Sequence, residues 1–139
     1  MSNGFGVKRF YSLEAVTNKT LFRLNTTVAE IFGKNDIFSN SLLSNLVTIE
    51  DLLAHRVGLP LHGRIRFDSI LTRQNLVKRL KYLKPVGEFR NGFYYSDILY
   101  GLVTAIAERI SRKSWEKLMT EEIFKPLSMT SSDLVTTVD

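Results

Sequence analysis

Between Asp97 and Ser111 the apolar residues Leu99, Leu102, Val103, Ile106 and Ile110 recur at steps of three and four, the spacing that lines side chains along one face of an α-helix. Such a face has to be covered, so the rest of the chain is constrained to supply a surface for it. Burying each of the five side chains contributes ~1.5–3 kcal/mol before the entropy cost of ordering them. Ser96 or Asp97 can cap this helix, and Ser114 can cap a last one containing Trp115, Leu118, Met119 and Ile123, which Pro126 ends. Just ahead of the main helix, Phe93, Tyr94, Tyr95, Ser96 and Asp97 form an aromatic-rich turn. A tyrosine at the mouth of a helix does chemistry only if other reactive groups surround it, so the remaining residues must be searched for those partners.

The chain has 139 residues, room for one core. Its 44% apolar and 24% charged residues are ordinary for a soluble globular protein and exclude wholesale disorder. The formal charge of +5 is scattered, except for Lys78, Arg79, Lys81 and Lys84, so no nucleic-acid partner is expected and these four read as a solvated helix face. With no cysteine there is no disulfide, no thiolate nucleophile and no cysteine metal site. His55 and His62 do not make a metal set by themselves, so neither a metal nor a cofactor is expected. The N-terminal MSNGFGVKRFYSLEAV lacks the apolar run of a secretion signal, and the longest apolar run, Ile98 to Ala107, is about half of a membrane span. No membrane span is expected, the compartment stays open, and the two glycosylation sequons at Asn18 and Asn25 carry little weight without a signal.

Residues 1–20 show no sustained period and form an unassigned N-terminal arm, leaving 21–139 as a partial domain. Val28, Ile31 and Phe32 suggest one or two helical turns ended by Gly33, and Lys34 to Asn45, punctuated by Asn and Ser, reads as a surface loop. Thr48, with Asp51 three residues on, approximates a capping box for a short helix running through His55, closed by Gly58 and Pro60. Leu59 to Ser69 is irregular. The next helix starts near Thr72, carries Leu76, Val77, Leu80 and Leu83 on one face, and stops at Lys84-Pro85-Val86-Gly87.

Four segments then carry a resemblance. TIEDLLAHRVGLP ends in a His-x-x-Gly-Leu-Pro turn, Tyr95-Ser96-Asp97 stands where a Tyr-x-Asn would, ILYGLVTAIAERISRKSWEKLM forms a helix pair, and EEIFKPLSMTSSDL contains Ile-Phe-x-Pro-Leu-x-Met-Thr. In order and spacing these resemble the serine β-lactamase and penicillin-binding-protein family, in particular its class C β-lactamase-related esterase branch, over about residues 21–139. The resemblance implies an α+β parent fold of helices with an antiparallel sheet, of which this chain is mainly the helical portion.

It also implies acyl transfer on a small-molecule ester, amide or β-lactam through a serine followed three residues later by a lysine, with a relay tyrosine and a Lys-Thr-Gly-like strand. One helical turn separates such a serine and lysine, so the amine reaches the hydroxyl, and neighbouring cations lower its pKa enough to accept a proton. Tyr95 falls on the relay position and Asp97 on the substrate-binding asparagine position. His55 and Gly58 are motif residues with structural roles, packing for the imidazole and backbone geometry for the glycine. Asp97 departs from the family's asparagine: an amide can donate to a substrate carbonyl, whereas an ionised Asp only accepts. The sole Ser-x-x-Lys of the sequence, Ser114 to Lys117, falls after the tyrosine and reads as a helix cap with a solvated lysine, while Ser12 and Lys19 have the wrong spacing.

The expectation is therefore an internal fragment of a β-lactamase-related serine hydrolase, inactive alone. The competing reading is a non-catalytic helical interaction module derived from that fold, self-associating through exposed apolar surface. A small helical nucleic-acid binder is the third.

Overall fold

Short polar side chains start nearly every helix of the structure, a computed structural model that describes residues 23–33, 36–61 and 72–134. Thr27 caps α1 (Val28–Phe32) and Thr48 caps α3 (Ile49–Leu53), each as a capping box in which the third helical residue, Glu30 or Asp51, returns a carboxylate to the cap. Gly33 ends α1 in the left-handed conformation. The two caps meet at one isolated antiparallel bridge, Thr27 to Thr48. The Val28 amide donates to the Val47 carbonyl (2.9 Å) and the Ile49 amide to that of Thr26 (3.1 Å), so the starts of α1 and α3 are tied together.

The stretch 34–45, expected as a surface loop, is corrected by α2 (Ser41–Leu46). Asn40, read as loop punctuation, is its N-cap and accepts from the Leu42 amide at 2.8 Å. Nor is the stretch superficial: Ile37, Phe38, Leu43 and Ser44 are buried, and Ser44 Oγ accepts from the Phe38 amide at 2.9 Å while donating to the Asn40 carbonyl at 3.1 Å. Positions 34–35 lie outside the described residues, as do the arm 1–20 and 62–71.

α4 (Arg73–Arg79) begins under the Thr72 cap but tightens into a 3₁₀ turn over Leu80–Tyr82, so the face expected to run to Leu83 ends a turn early. Leu76 and Leu80 from it are buried. α5 (Asp97–Ser111) carries the expected stripe, with Leu99, Leu102, Val103 and Ile106 buried and Ile98 beside them. A Cβ on Gly101 would stand 2.7 Å from Leu76 Cδ2, so its absence lets α4 lie against α5. After α5 comes α6 (Trp115–Met119), capped by Ser114 and continued by a π turn over Thr120–Phe124.

The chain divides into two compact units. The unit within Leu21–Ile106 holds α1 to α4 and most of α5, with a core that includes Val28, Val47, Ile49, Leu52, Val57, Leu59, Leu80, Leu99 and Leu102. In the unit that contains Ala107–Asp139, Leu118 and Met119 of α6 are buried, Glu108 accepts from the Trp115 amide at 2.8 Å, and Lys113 pairs with Glu121 at 2.7 Å. Helices dominate, and no strand is present among the described residues beyond the isolated bridge. Among the described residues, no helix is long and apolar enough to cross a membrane.

Candidate functional site

α3 does not reach His55, as the sequence reading had it; it ends at Leu53, and His55 follows in the left-handed conformation with φ 56°. The Arg56 amide donates to the Asp51 carbonyl (2.9 Å) and the His55 amide to that of Leu52 (3.3 Å), the paired bonds of a Schellman ending in which His55 occupies the slot that glycine or asparagine most often fills. The reversal turns the imidazole inward, where it is 6% exposed.

There the ring is enclosed by aromatic side chains. Tyr100 stacks on it at 4.9 Å and 22°, Tyr95 lies tilted at 4.7 Å, and Phe93 meets it edge-on at 5.2 Å. The Tyr100 hydroxyl donates to the Leu53 carbonyl (3.2 Å), fixing the stacking partner to the end of α3. The buried Ser96 amide donates to His55 Nδ1 at 3.2 Å, and Ser96 Oγ donates to the Pro60 carbonyl at 3.2 Å. The hydroxyl expected to cap α5 is thus engaged with Pro60. Burial pushes the His55 pKa down, and the nearby Asp97 carboxylate opposes this without reversing it. A neutral ring whose Nδ1 accepts a bond carries its proton on Nε2.

The backbone on either side of this cluster is closely packed. Gly58 has φ 78°, and a Cβ there would lie 2.3 Å from the Gly87 carbonyl oxygen. The amides of Val86 and Gly87 both donate to the Gly58 carbonyl, at 2.8 and 3.2 Å. Gly87 is itself overlaid by the Tyr94 ring, whose Cζ would be 2.0 Å from an added Cβ. The Tyr94 amide donates to the His55 carbonyl (2.8 Å) and the Arg90 amide to that of Arg56 (2.8 Å).

Arg90 adds an ionic clamp. Its guanidinium grips the buried Asp51 through Nε to Oδ1 (2.9 Å) and Nη2 to Oδ2 (2.7 Å), and Nη2 also reaches the Leu46 carbonyl at 3.3 Å. Burial of Asp51 pushes its pKa up, but the bonds from Arg90 and Thr48 more than offset this and hold the carboxyl below its ordinary range.

His55, Tyr95 and Asp97 are thus brought together, while Gly58 packs against Gly87. The Tyr95 side chain is half-exposed at 52% and sits at the entrance to α5, between Phe93 and the buried Ser96. His62, Arg64 and Arg66, sequence candidates for a cleft edge, lie outside the described residues, as do Ser12 and Lys19. Lys78, Arg79 and Lys81 line a separate cleft of about 490 Å³ with Asp36 and Tyr82. Ser114 Oγ accepts from the Lys117 amide at 3.2 Å as a helix cap, and Lys117 Nζ, largely exposed, is 3.9 Å from Glu121. Sequence reading took Ser96 only as a cap and Gly87 only as a helix stop, and missed their long-range contacts, Tyr100 and the Arg90–Asp51 pair. Asp51 was legible only as a cap, because its second partner is 39 residues away. Among the described residues no three His, Asp or Glu side chains gather into a metal-binding group.

Comparison with known proteins points to one family. The family described as Beta-lactamase matches residues 12–138. Gigasin-6 from Magallana gigas is 34% identical over an alignment that takes in 100% of this chain and 55% of that protein. The unguisins hydrolase ungD' of Aspergillus campestris is 26% identical over 79% of this chain and 21% of its own length. The chain therefore spans about half, or less, of the curated relatives it matches. Among solved structures, the octameric penicillin-binding protein homologue from Pyrococcus abyssi superposes with a TM-score of 0.65 at 24% identity, covering 90% of this chain and 30% of that one, a likeness of fold.

Proposed function

Since the chain belongs to the β-lactamase family, we propose that residues 21–139 form the tyrosine-turn portion of an acyl-transfer domain whose whole is α+β, with an antiparallel sheet beside the helices. Its substrate is a small-molecule ester, amide or β-lactam, and the reaction needs neither metal nor cofactor. The observation that carries this reading is the presentation of Tyr95: half-exposed at the mouth of α5, with its ring on a buried imidazole and its neighbour Ser96 anchored through amide and hydroxyl. A relay group needs a fixed position and an open side for substrate, and Tyr95 has both. That two relatives are named as unguisins hydrolases favours hydrolysis over binding alone.

In the proposed reaction a serine hydroxyl attacks the acyl carbon and loses its proton to a lysine amine. The bond to the leaving group then breaks as that group takes a proton, relayed through the Tyr95 hydroxyl. Asp97, at the position of a donor amide, presents only acceptor oxygens when ionised. It therefore favours a substrate that offers an N–H or O–H donor there, or a neighbouring cation, rather than a bare carbonyl.

Residues 1–139 alone are proposed to be inactive. Their one Ser-x-x-Lys is committed elsewhere: Ser114 caps α6 and Lys117 stands beside Glu121. The test is hydrolysis of a nitrophenyl ester and labelling by a fluorophosphonate probe, with neither expected. Turnover that falls on Tyr95→Phe would show the isolated chain to be an enzyme.

A second reading, a non-catalytic interaction module, is favoured by the apolar side chains of Leu61, Val86 and Phe93, each more than half exposed near the same turn. Under it the chain self-associates. Sedimentation giving a monodisperse dimer that melts cooperatively supports the module, and a monomeric or aggregating chain removes it.

A further inference from the structure

We propose that His55 is the positioning residue for Tyr95, its neutral imidazole acting as a proton-sensitive latch on the Tyr95-Ser96-Asp97 turn. The proposal rests on the reading of Tyr95 as the reactive tyrosine only for its consequence, not for its geometry.

Three observations lead to it. First, His55 stands at φ 56° in a slot that costs an ordinary side chain energy and that glycine fills without strain, so the backbone alone does not account for an imidazole there. Second, its Nδ1 accepts the amide of Ser96, a residue with 0% exposure, whose donor has no water to turn to if the acceptor is lost. Third, the same ring forms the floor under Tyr95 at 4.7 Å, so one side chain sets both the backbone of the turn and the tilt of the phenol.

Protonation puts a hydrogen on Nδ1. The ring then has two donors and no acceptor, and the Ser96 amide faces an N–H in place of a lone pair. The bond is lost and the two donors repel. Among the described residues, the groups packed around the ring are Phe93, Tyr95 and Ser96 from the preceding segment, and Tyr100 and Asp97 from α5. Of these only Asp97 is charged at neutral pH, and it favours the imidazolium; burial among the three rings disfavours it more. The latch is therefore closed at neutral pH and opens as the pH falls below the ordinary histidine value of 6.5.

Amide hydrogen exchange on the full chain tests this. Protection of the Ser96 amide, corrected for its intrinsic rate, is expected to fall about tenfold or more as His55 titrates, the cost of one unmade buried bond. The His55 ring signals, separated from those of His62 by a His62→Gln variant, report that titration. His55→Asn keeps an acceptor at the Nδ1 position and tolerates the left-handed backbone, so Ser96 stays protected and its pH dependence vanishes. His55→Phe keeps a ring without an acceptor, and Ser96 loses protection at every pH. Ser96 protection that ignores the titration of His55, or that survives His55→Phe unchanged, overturns the proposal. If His55→Phe does not fold, the unmodified chain and His55→Asn decide alone. These readouts concern geometry, so they stand or fall separately from the loss of turnover that a Tyr95→Phe exchange is expected to cause in a complete enzyme.

Discussion

The starts of α5 and α6 each carry a serine, and the two serines behave oppositely. Ser114 does what its neighbourhood dictates: its hydroxyl accepts from the amide three residues on, inside one helical turn. Ser96 directs its polar atoms to residues 41 and 36 positions back, the imidazole of His55 and the carbonyl of Pro60. The locally satisfied start belongs to an exposed helix end whose lysine is merely paired with glutamate. The start satisfied at long range is the one that presents a tyrosine. A helix terminus whose side chain caps it is closed to other work, whereas one tied down from outside leaves its neighbours free to face solvent.

The sharpest way to break that contrast is to separate the 55–60 turn that holds Ser96 from the Val86–Gly87 backbone packed on it. Gly58→Ala places a Cβ against the Gly87 carbonyl at a backbone angle that only glycine takes without strain, and should cost on the order of 3 kcal/mol in denaturant unfolding. An effect under about 1 kcal/mol would mean that the two loops part without harm.

Arg90→Leu comes next. It leaves Asp51 buried without its cation, and because Arg90 is itself 43% exposed the loss should be about 2 kcal/mol rather than the larger values of fully buried pairs. The pH dependence gives a second readout. The Asp51 carboxyl is held below its ordinary value, so the pair adds stability above that value, and this is lost as the pH falls through the lowered one. In Arg90→Leu this acid-limb loss should shrink.

Ser114→Ala should cost about 1 kcal/mol, the usual loss of one cap, and leave the Ser96 amide protection untouched. Tyr95→Phe should be the smallest, within about 0.5 kcal/mol, because a half-exposed phenol on an intact ring cluster loses little packing. A larger loss would recast Tyr95 as a structural residue and weaken its proposed reactive role.

What could be read from the sequence follows the same divide. Thr48, Thr72 and Ser114 were legible as caps or helix starts because a cap is decided within four residues, and the α5 stripe because its period is local. α2 was misread because Asn40 and Ser44 are as much turn residues as cap and packing residues, and only the burial of Phe38 and Leu43 selects between them. At the site, motif resemblance pointed to His55, Gly58, Tyr95 and Asp97, but not to what joins them. Nothing local to Arg90 announces Asp51, and nothing local to Gly87 announces the Tyr94 ring or the Gly58 carbonyl. Those contacts are made by a backbone carbonyl, by a ring folded back over a glycine and by a charge pair 39 residues apart, which leave no period in the sequence.

The long reach of the Ser96 bond also bears on the order in which the chain folds. Closing a loop of 41 residues costs about 3 kcal/mol of chain entropy before any contact repays it. The capped turns at α1, α3 and α6 close loops of only a few residues. The turn that carries Tyr95 should therefore set late, after the helices, so that perturbing the His55–Ser96 link speeds unfolding and leaves the refolding rate nearly unchanged. Stopped-flow refolding of His55→Phe against Ser114→Ala would show whether the Tyr95 turn is the last part of the molecule to become native.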